Sequence, residues 1–172
     1  MIDFDGPTVL ITGAATGIGR ATARAFAAAR ASVVIGDVDP RADITAADIV
    51  AAGSKAVFQK TDVSDSGQVQ ALVARAVSEF GGLDVAFNNA GLLPPTATLA
   101  EQTEADWHRI MNVDVTGVFL CMKHRLADMA KSGRGAIVNT ASVAGLRTDS
   151  GMAPDVAAKH AVVGLSKAAA ID

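Results

Sequence analysis

Short apolar runs alternate along the chain with segments whose apolar residues recur at helical spacing. The apolar runs are rich in β-branched residues and predict strands over residues 8–12, 32–35, 56–59, 83–87 and 136–139. The segments between them predict helices over residues 18–30, 41–52, 69–80 and 104–131. Regular alternation of strand and helix is typical of βαβ units with a parallel sheet. We therefore expect an α/β fold.

The longest helical segment contains a weak point. Over residues 112–117 the β-branched Val113, Val115 and Thr116 stand next to Gly117. β-branched residues lose rotamer freedom in a helix, and glycine has high backbone entropy. We expect the helix to be broken there.

Composition and charge restrict the class of protein. With 172 residues and 50% apolar composition, residues 1–172 predict a single domain with a sizeable core. The net charge of −3 argues against a nucleic acid or an anionic membrane as partner. No apolar run approaches the roughly 20 residues that span a bilayer, and residues 1–7 are too acidic and too short for a signal peptide. We expect a cytoplasmic protein.

The cysteine and histidine content predicts no metal site. The single cysteine, Cys121, stands in an apolar helical stretch, which favours a buried and inert thiol. The histidines at 108, 124 and 160 have no Cys, Asp or Glu partners at metal-ligand spacing, so surface or interface roles are favoured.

Candidate chemistry begins where the first predicted strand turns into a helix. The segment TGAATGIG holds Gly13, Gly17 and Gly19, with Thr16 and Ile18 between them. Glycines in this context let backbone N–H groups approach a pyrophosphate at the helix N-terminus. The spacing differs from the common G-x-G-x-x-G pattern, and a tight turn without a ligand is the alternative.

An acidic residue at the end of the second strand strengthens the nucleotide interpretation. Asp37 lies 18 positions after Gly19, where a carboxylate can accept hydrogen bonds from both hydroxyls of an adenosine ribose. The same charge would repel a 2′-phosphate, and Ala14, Ala15 and Val38 provide no compensating cation. The sequence therefore favours NAD over NADP, unless Asp37 is only a turn residue.

Five segments in order resemble the short-chain dehydrogenase/reductase family. They are TGAATGIG, TDVSD with Asp62 and Val63, NNAG with Asn89, Ala90 and Gly91, MNVDVTGVF with Asn112, and NTASVAG with Ser142. The resemblance implies a Rossmann-type, doubly wound parallel sheet in three α/β/α layers with strand order 3-2-1-4-5. It also implies that Asp62 and Val63 border the adenine, while Asn89, Ala90 and Gly91 lie along the nicotinamide-side ribose. Turn and strand-end roles for Asp62 and the asparagines remain the alternatives.

The resemblance also implies hydride transfer between NAD(H) and a small alcohol or ketone. The family uses an Asn-Ser-Tyr-Lys set, and Asn112, Ser142 and Lys159 match three of its members. The lysine of the set contacts the nicotinamide ribose, and the serine contacts the substrate oxygen. The place of the tyrosine, four residues before Lys159, holds Asp155.

Asp155 puts catalytic competence in doubt. A phenol has an ordinary pKa near 10 and a carboxyl one near 3.9, so an ionised aspartate cannot replace the proton donor. The side chain is also shorter, and the chain contains no tyrosine that could substitute. We expect an i,i+4 pair of Asp155 with Lys159, and either impaired turnover or a dinucleotide-binding protein that is catalytically inactive.

Members of the family usually continue well beyond the length of this chain. If the chain is incomplete, the last parallel strands are missing and the fifth strand is an exposed edge. The substrate pocket would then lack one wall. The homodimer or homotetramer that the family suggests would be weakened, and the stability would be lower than that of a longer relative.

Overall fold

The computed structural model describes residues 6–148 and 150–171. The prediction made for residues 1–7 therefore lies largely outside the described residues. The strands are β1 (Thr8–Thr12), β2 (Ser32–Asp37), β3 (Ala56–Lys60), β4 (Val85–Asn88) and β5 (Ala136–Asn139). They form a parallel sheet in the order β3-β2-β1-β4-β5. The predicted parallel α/β sheet and its strand order are confirmed.

The helices connect these strands. They are α1 (Gly17–Ala28), α2 (Ala42–Ala51), α3 (Ser66–Phe80), α4 (Glu104–Ile110), α5 (Gly117–Ser132) and α6 (Ala153–Ala169). Within the described ranges, none of them is both long enough and apolar enough to cross a bilayer.

The core lies on both faces of the sheet. On one face Val9, Ile11 and Val33 pack with Ala23 of α1 and Ile49 of α2. On the other face the alternate residues, including Leu10, Val34 and Ala86, pack with Leu72 of α3 and Met129 of α5. Strands buried on both faces have continuous apolar sequences, which is why β1 is buried at all five positions. The result is a three-layer α/β/α arrangement.

The predicted break in the long helix is a π-helical segment, Met111–Thr116, which joins α4 to α5 without interruption of the helical path. Gly117 follows it and lies against Val63, since an added Cβ would come 2.7 Å from Val63 Cγ2. The weak helix propensity therefore widens one turn instead of ending the helix. Wide turns of this kind are frequent at functional sites.

Candidate functional site

The turn between β1 and α1 depends on glycine at two positions. Gly13 has φ of +71°, and a Cβ there would come 2.8 Å from Ala90 Cα. A Cβ on Gly19 would overlap Gly13 O. The chain after β1 therefore packs directly on the chain after β4. The first N–H groups of α1 have no partners within the helix, as at any helix N-terminus, and can receive an anion.

The carboxylate of Asp37 is held by two backbone donors. Ala15 N donates to Oδ2 at 2.8 Å, and Asp39 N donates to Oδ1 at 3.0 Å. The first bond ties the tip of β2 to the glycine-rich turn. The carboxylate is thus fixed beside that turn, and each oxygen still has a lone pair for a ligand hydroxyl.

Asn89 connects the ends of two strands. Its side-chain nitrogen donates to Gly13 O at 3.0 Å and to Thr12 O at 3.2 Å, and its backbone N donates to Thr12 Oγ1 at 3.1 Å. Asn89 therefore braces the end of β1 against the end of β4, which is the strand-end role that the sequence left open for the asparagines.

Asp62 closes a turn at the end of β3. Its Oδ1 accepts from Ser64 N at 2.9 Å and from Ser64 Oγ at 2.7 Å. The backbone N of Asp62 donates to Gln68 Oε1 at 2.9 Å. The turn role left open by the sequence is therefore present, and Asp62 also lines the crevice described next.

These segments enclose an open crevice of about 820 Å³ at the carboxyl ends of the strands. Its volume lies within the range of small-molecule and cofactor sites. The sequence-predicted residues that line it are Gly13, Thr16, Gly17, Ile18, Asp37, Asp62, Val63, Asn89, Ala90 and Gly91. Gly19 is buried beneath them. The structure thus brings the predicted cofactor-binding residues of the first half of the chain together.

A buried ion pair involves Lys159. Its Nζ donates to Asp114 Oδ2 at 3.0 Å, and Leu92 N donates to Asp114 Oδ1 at 2.8 Å. The Asp114 side chain is fully buried and that of Lys159 is 13% exposed. Asp114 therefore joins three segments: the π-helical turn, the loop after β4, and α6.

Sequence reasoning missed Asp114. It singled out Asn112 in the same motif, but the Asn112 side chain is exposed while Asp114 points inward to Lys159. The available signal was a charged residue inside an otherwise apolar segment at a predicted helix irregularity. Such a residue is rarely buried without a partner.

The two other predicted catalytic residues lie on separate elements. Ser142 is exposed and begins the short 3₁₀ turn Val143–Gly145, where its Oγ accepts from Ala144 N at 3.1 Å. Asp155 lies in the first turn of α6 and is only 5% exposed. The Lys159 ammonium bonds to Asp114, whose carboxylate the fold places against it, while the expected pair of Lys159 with Asp155 stays a prediction.

A parallel open sheet with a glycine-rich first turn and an acid at the tip of the next strand defines a Rossmann-type nucleotide-binding protein. The family model for short chain dehydrogenase matches residues 7–172. The chain belongs to the short-chain dehydrogenase/reductase family, a family of oxidoreductases.

Two curated relatives act on ring alcohols according to their names. A cis-4-hydroxycyclohexanecarboxylate dehydrogenase from Sinomonas cyclohexanicum is 46% identical over 168 residues, which are 98% of this chain and 68% of the relative. A 2,5-dichloro-2,5-cyclohexadiene-1,4-diol dehydrogenase from Sphingobium indicum is 43% identical over 173 residues, 100% of this chain and 68% of the relative.

A solved relative contains the dinucleotide. The crystal structure of a short-chain dehydrogenase/reductase from Burkholderia phymatum in complex with NAD has a TM-score of 0.93 and 40% identity. The match covers 98% of this chain and 60% of that one, so the present chain spans less than two thirds of its length.

Proposed function

We propose that this chain binds NAD(H) in the crevice beside β1 and that it serves hydride transfer to or from a small alcohol or ketone. The observation that carries the proposal is the fixed Asp37 carboxylate at one end of a crevice whose floor is the Gly13–Gly19 contact. The glycines leave the space that a diphosphate needs, and the N–H groups of α1 can bind it. Asp37 has lone pairs for the ribose hydroxyls.

NAD is proposed in preference to NADP. The 2′-phosphate of NADP would lie beside the Asp37 carboxylate, and like charges repel. Replacing Asp37 with Asn leaves only one acceptor oxygen for the ribose hydroxyls, so it is expected to weaken NAD⁺ binding. It also removes the repulsion of the 2′-phosphate, so the difference in affinity between NAD⁺ and NADP⁺ is expected to become smaller. Titration calorimetry with NAD⁺ and NADP⁺ tests this directly.

The substrate is proposed to be a secondary alcohol on a small carbon ring, or the corresponding ketone. The names of the two curated relatives support this class. A screen of cyclohexanol and cyclohexanediols against linear alcohols of equal carbon number checks it. Faster reduction of NAD⁺ with the linear series would contradict the proposed class.

Ser142 is proposed to contact the reacting oxygen, and Lys159 the nicotinamide ribose. When bound, NAD⁺ would supply the acceptor for the hydride of the alcohol carbon. Ser142 is exposed, and its Oγ can donate a hydrogen bond to the substrate oxygen while accepting from Ala144 N. Lys159 is held by Asp114 close to the loop after β4, and its two remaining hydrogens can reach the ribose.

Asp155 is proposed to make proton transfer slow. The Asp155 side chain is shorter than that of tyrosine and carries no phenol, so it lacks the group that serves as proton donor at this position in the family. Dinucleotide binding without efficient turnover is therefore the second candidate function. The burial of Asp155 at 5% exposure favours it, because a buried side chain has little freedom to reach a substrate.

The variant Asp155→Tyr separates the two candidates. If proton transfer is the missing step, the variant turns over a ring alcohol about 10² to 10⁴ times faster than the parent. Asp155→Asn is the matched control, since it removes the charge without providing a phenol, and it is expected to stay slow. Equal rates for parent and Asp155→Tyr, with both proteins folded and both binding NADH, would refute the proposed impairment.

A further inference from the structure

An arginine next to the crevice forms an ion pair with a neighbouring aspartate through one side of its guanidinium. Arg41 Nε donates to both Asp39 oxygens, at 3.1 and 2.8 Å, and Arg41 Nη2 donates to Oδ2 at 2.5 Å. The backbone N of Arg41 also donates to Asp39 Oδ1 at 2.9 Å. Asp39 lines the crevice, and Arg41 directly precedes α2.

The pair is linked to the proposed ribose carboxylate. The backbone N of Asp39 donates to Asp37 Oδ1 at 3.0 Å, so the two acids lie on one short turn at the tip of β2. Hydrogen bonds and charge from Asp39, and the more distant charge of Asp37, raise the pKa of the Arg41 guanidinium. The Arg41 side chain is 67% exposed and that of Asp39 28%, so the arginine could turn elsewhere if the aspartate released it.

We propose that Asp39 is a second determinant of cofactor choice, acting by holding Arg41 away from the place of a 2′-phosphate. The inference rests on the proposed NAD site and adds a residue to its specificity. The guanidinium is the side chain best suited to a phosphate, because it binds two oxygens at once. While Asp39 occupies the Nε and Nη2 donors of Arg41, the charge of the guanidinium is balanced by Asp39, and the carboxylates of Asp37 and Asp39 line the crevice.

The substitution Asp39→Asn tests the proposal on the full chain. The amide oxygen can still accept from Arg41 N, so the turn before α2 is kept, while the charge that holds the guanidinium is lost. The affinity for NADP⁺ relative to NAD⁺, measured by calorimetry, is expected to rise about three- to tenfold. The double variant Asp39→Asn/Arg41→Met should return the ratio to within about twofold of the parent, since the freed cation is then absent.

Two single variants serve as controls. Asp43→Asn removes one negative charge two residues beyond Arg41 but leaves the Asp39–Arg41 pair in place. The affinity for NADP⁺ relative to NAD⁺ should therefore stay within about twofold of the parent value. Arg41→Met alone should also change the affinity for NADP⁺ relative to NAD⁺ by no more than about twofold, since Asp39 already pairs with the arginine in the parent. A tenfold loss of NADP⁺ affinity in Arg41→Met would mean that the arginine is free to bind phosphate, and would overturn the proposal.

Failure of this inference and failure of the proposed NAD site give different results. An unchanged ratio in Asp39→Asn, or a gain that survives Arg41→Met, would overturn this inference and leave the NAD site standing if the parent binds NAD⁺. A folded parent that binds neither dinucleotide would overturn the proposed function and this inference together.

Discussion

At the scale of single residues, Asp114 and Lys159 form an ion pair that is largely buried. Each is charged, and the two are nearly removed from water. Removing one member of a buried pair leaves the other charge without compensation, which costs about 3 to 5 kcal/mol. Asp114 also accepts from Leu92 N, so its loss would release the loop after β4 as well.

Asp114→Ala is therefore expected to lower the free energy of unfolding by about 3 kcal/mol or more, measured by urea denaturation. Glu79→Ala is the control, because it breaks the exposed Arg75–Glu79 pair and should cost less than about 1 kcal/mol. In a double-mutant cycle with Lys159→Met, the second substitution should recover part of the loss. Equal losses for Asp114→Ala and Glu79→Ala would contradict the importance of the buried pair.

Cys121 shows how burial controls reactivity. Its thiol is 1% exposed, and burial raises its pKa, while the charge of Arg125 acts weakly in the opposite direction. The reactive thiolate is therefore scarce at neutral pH. A disulfide reagent such as DTNB should modify native protein very slowly at pH 7.5 and one thiol per chain at once in denaturant. Rapid labelling of the native protein would show that α5 opens readily.

At the scale of secondary-structure elements, α3 begins with a defined cap. The carboxylate of Asp65 accepts from Gln68 N at 3.0 Å and from Gln68 Nε2 at 3.1 Å, while Gln68 Oε1 accepts from Asp62 N at 2.9 Å. The cap therefore fixes the start of α3 and also the turn that carries Asp62 into the crevice.

Asp65→Ala is expected to lower Tm by about 2 to 4 °C at pH 7. The hydrogen bonds from Gln68 lower the pKa of Asp65 in the folded state. A lowered folded-state pKa means that the stabilisation is complete above the unfolded pKa, near 3.9, and is lost as the pH falls through the folded value. The Tm difference between parent and variant should therefore shrink below pH 4. A difference that grows in acid would contradict this cap.

At the scale of the whole molecule, the core contains one unusual side chain. Arg125 of α5 is fully buried, and its Nε and both terminal nitrogens have no hydrogen-bond partner among the described residues. Burial lowers the pKa of its guanidinium. A buried charged donor without partners opposes folding.

Arg125→Met, which keeps the length of the side chain, is expected to raise the free energy of unfolding by about 1 to 3 kcal/mol. Lys123→Met on the exposed side of the same helix controls for loss of a positive charge and should change stability by less than about 0.5 kcal/mol. Chemical denaturation of the three proteins gives the comparison. A loss of stability in Arg125→Met would show that the guanidinium is well satisfied in solution.

Much of the architecture could be predicted from local pattern. The order of strands and helices follows from apolar runs and helical periodicity, since each residue's preference depends on its near neighbours. The glycine-rich turn and Asp37 were also predictable, because a strand-turn-helix unit brings its own ends to the carboxyl edge of the sheet.

Tertiary structure alone decided which distant groups meet. Lys159 pairs with Asp114, 45 positions earlier, because α6 packs against the π-helical turn. The fold also buries Asp155 at the start of α6 and Arg125 on α5, two charged residue types that local sequence would place at the surface. Periodicity indicates which face of an element is covered, but the identity of the covering group depends on how the elements pack, which no local pattern records.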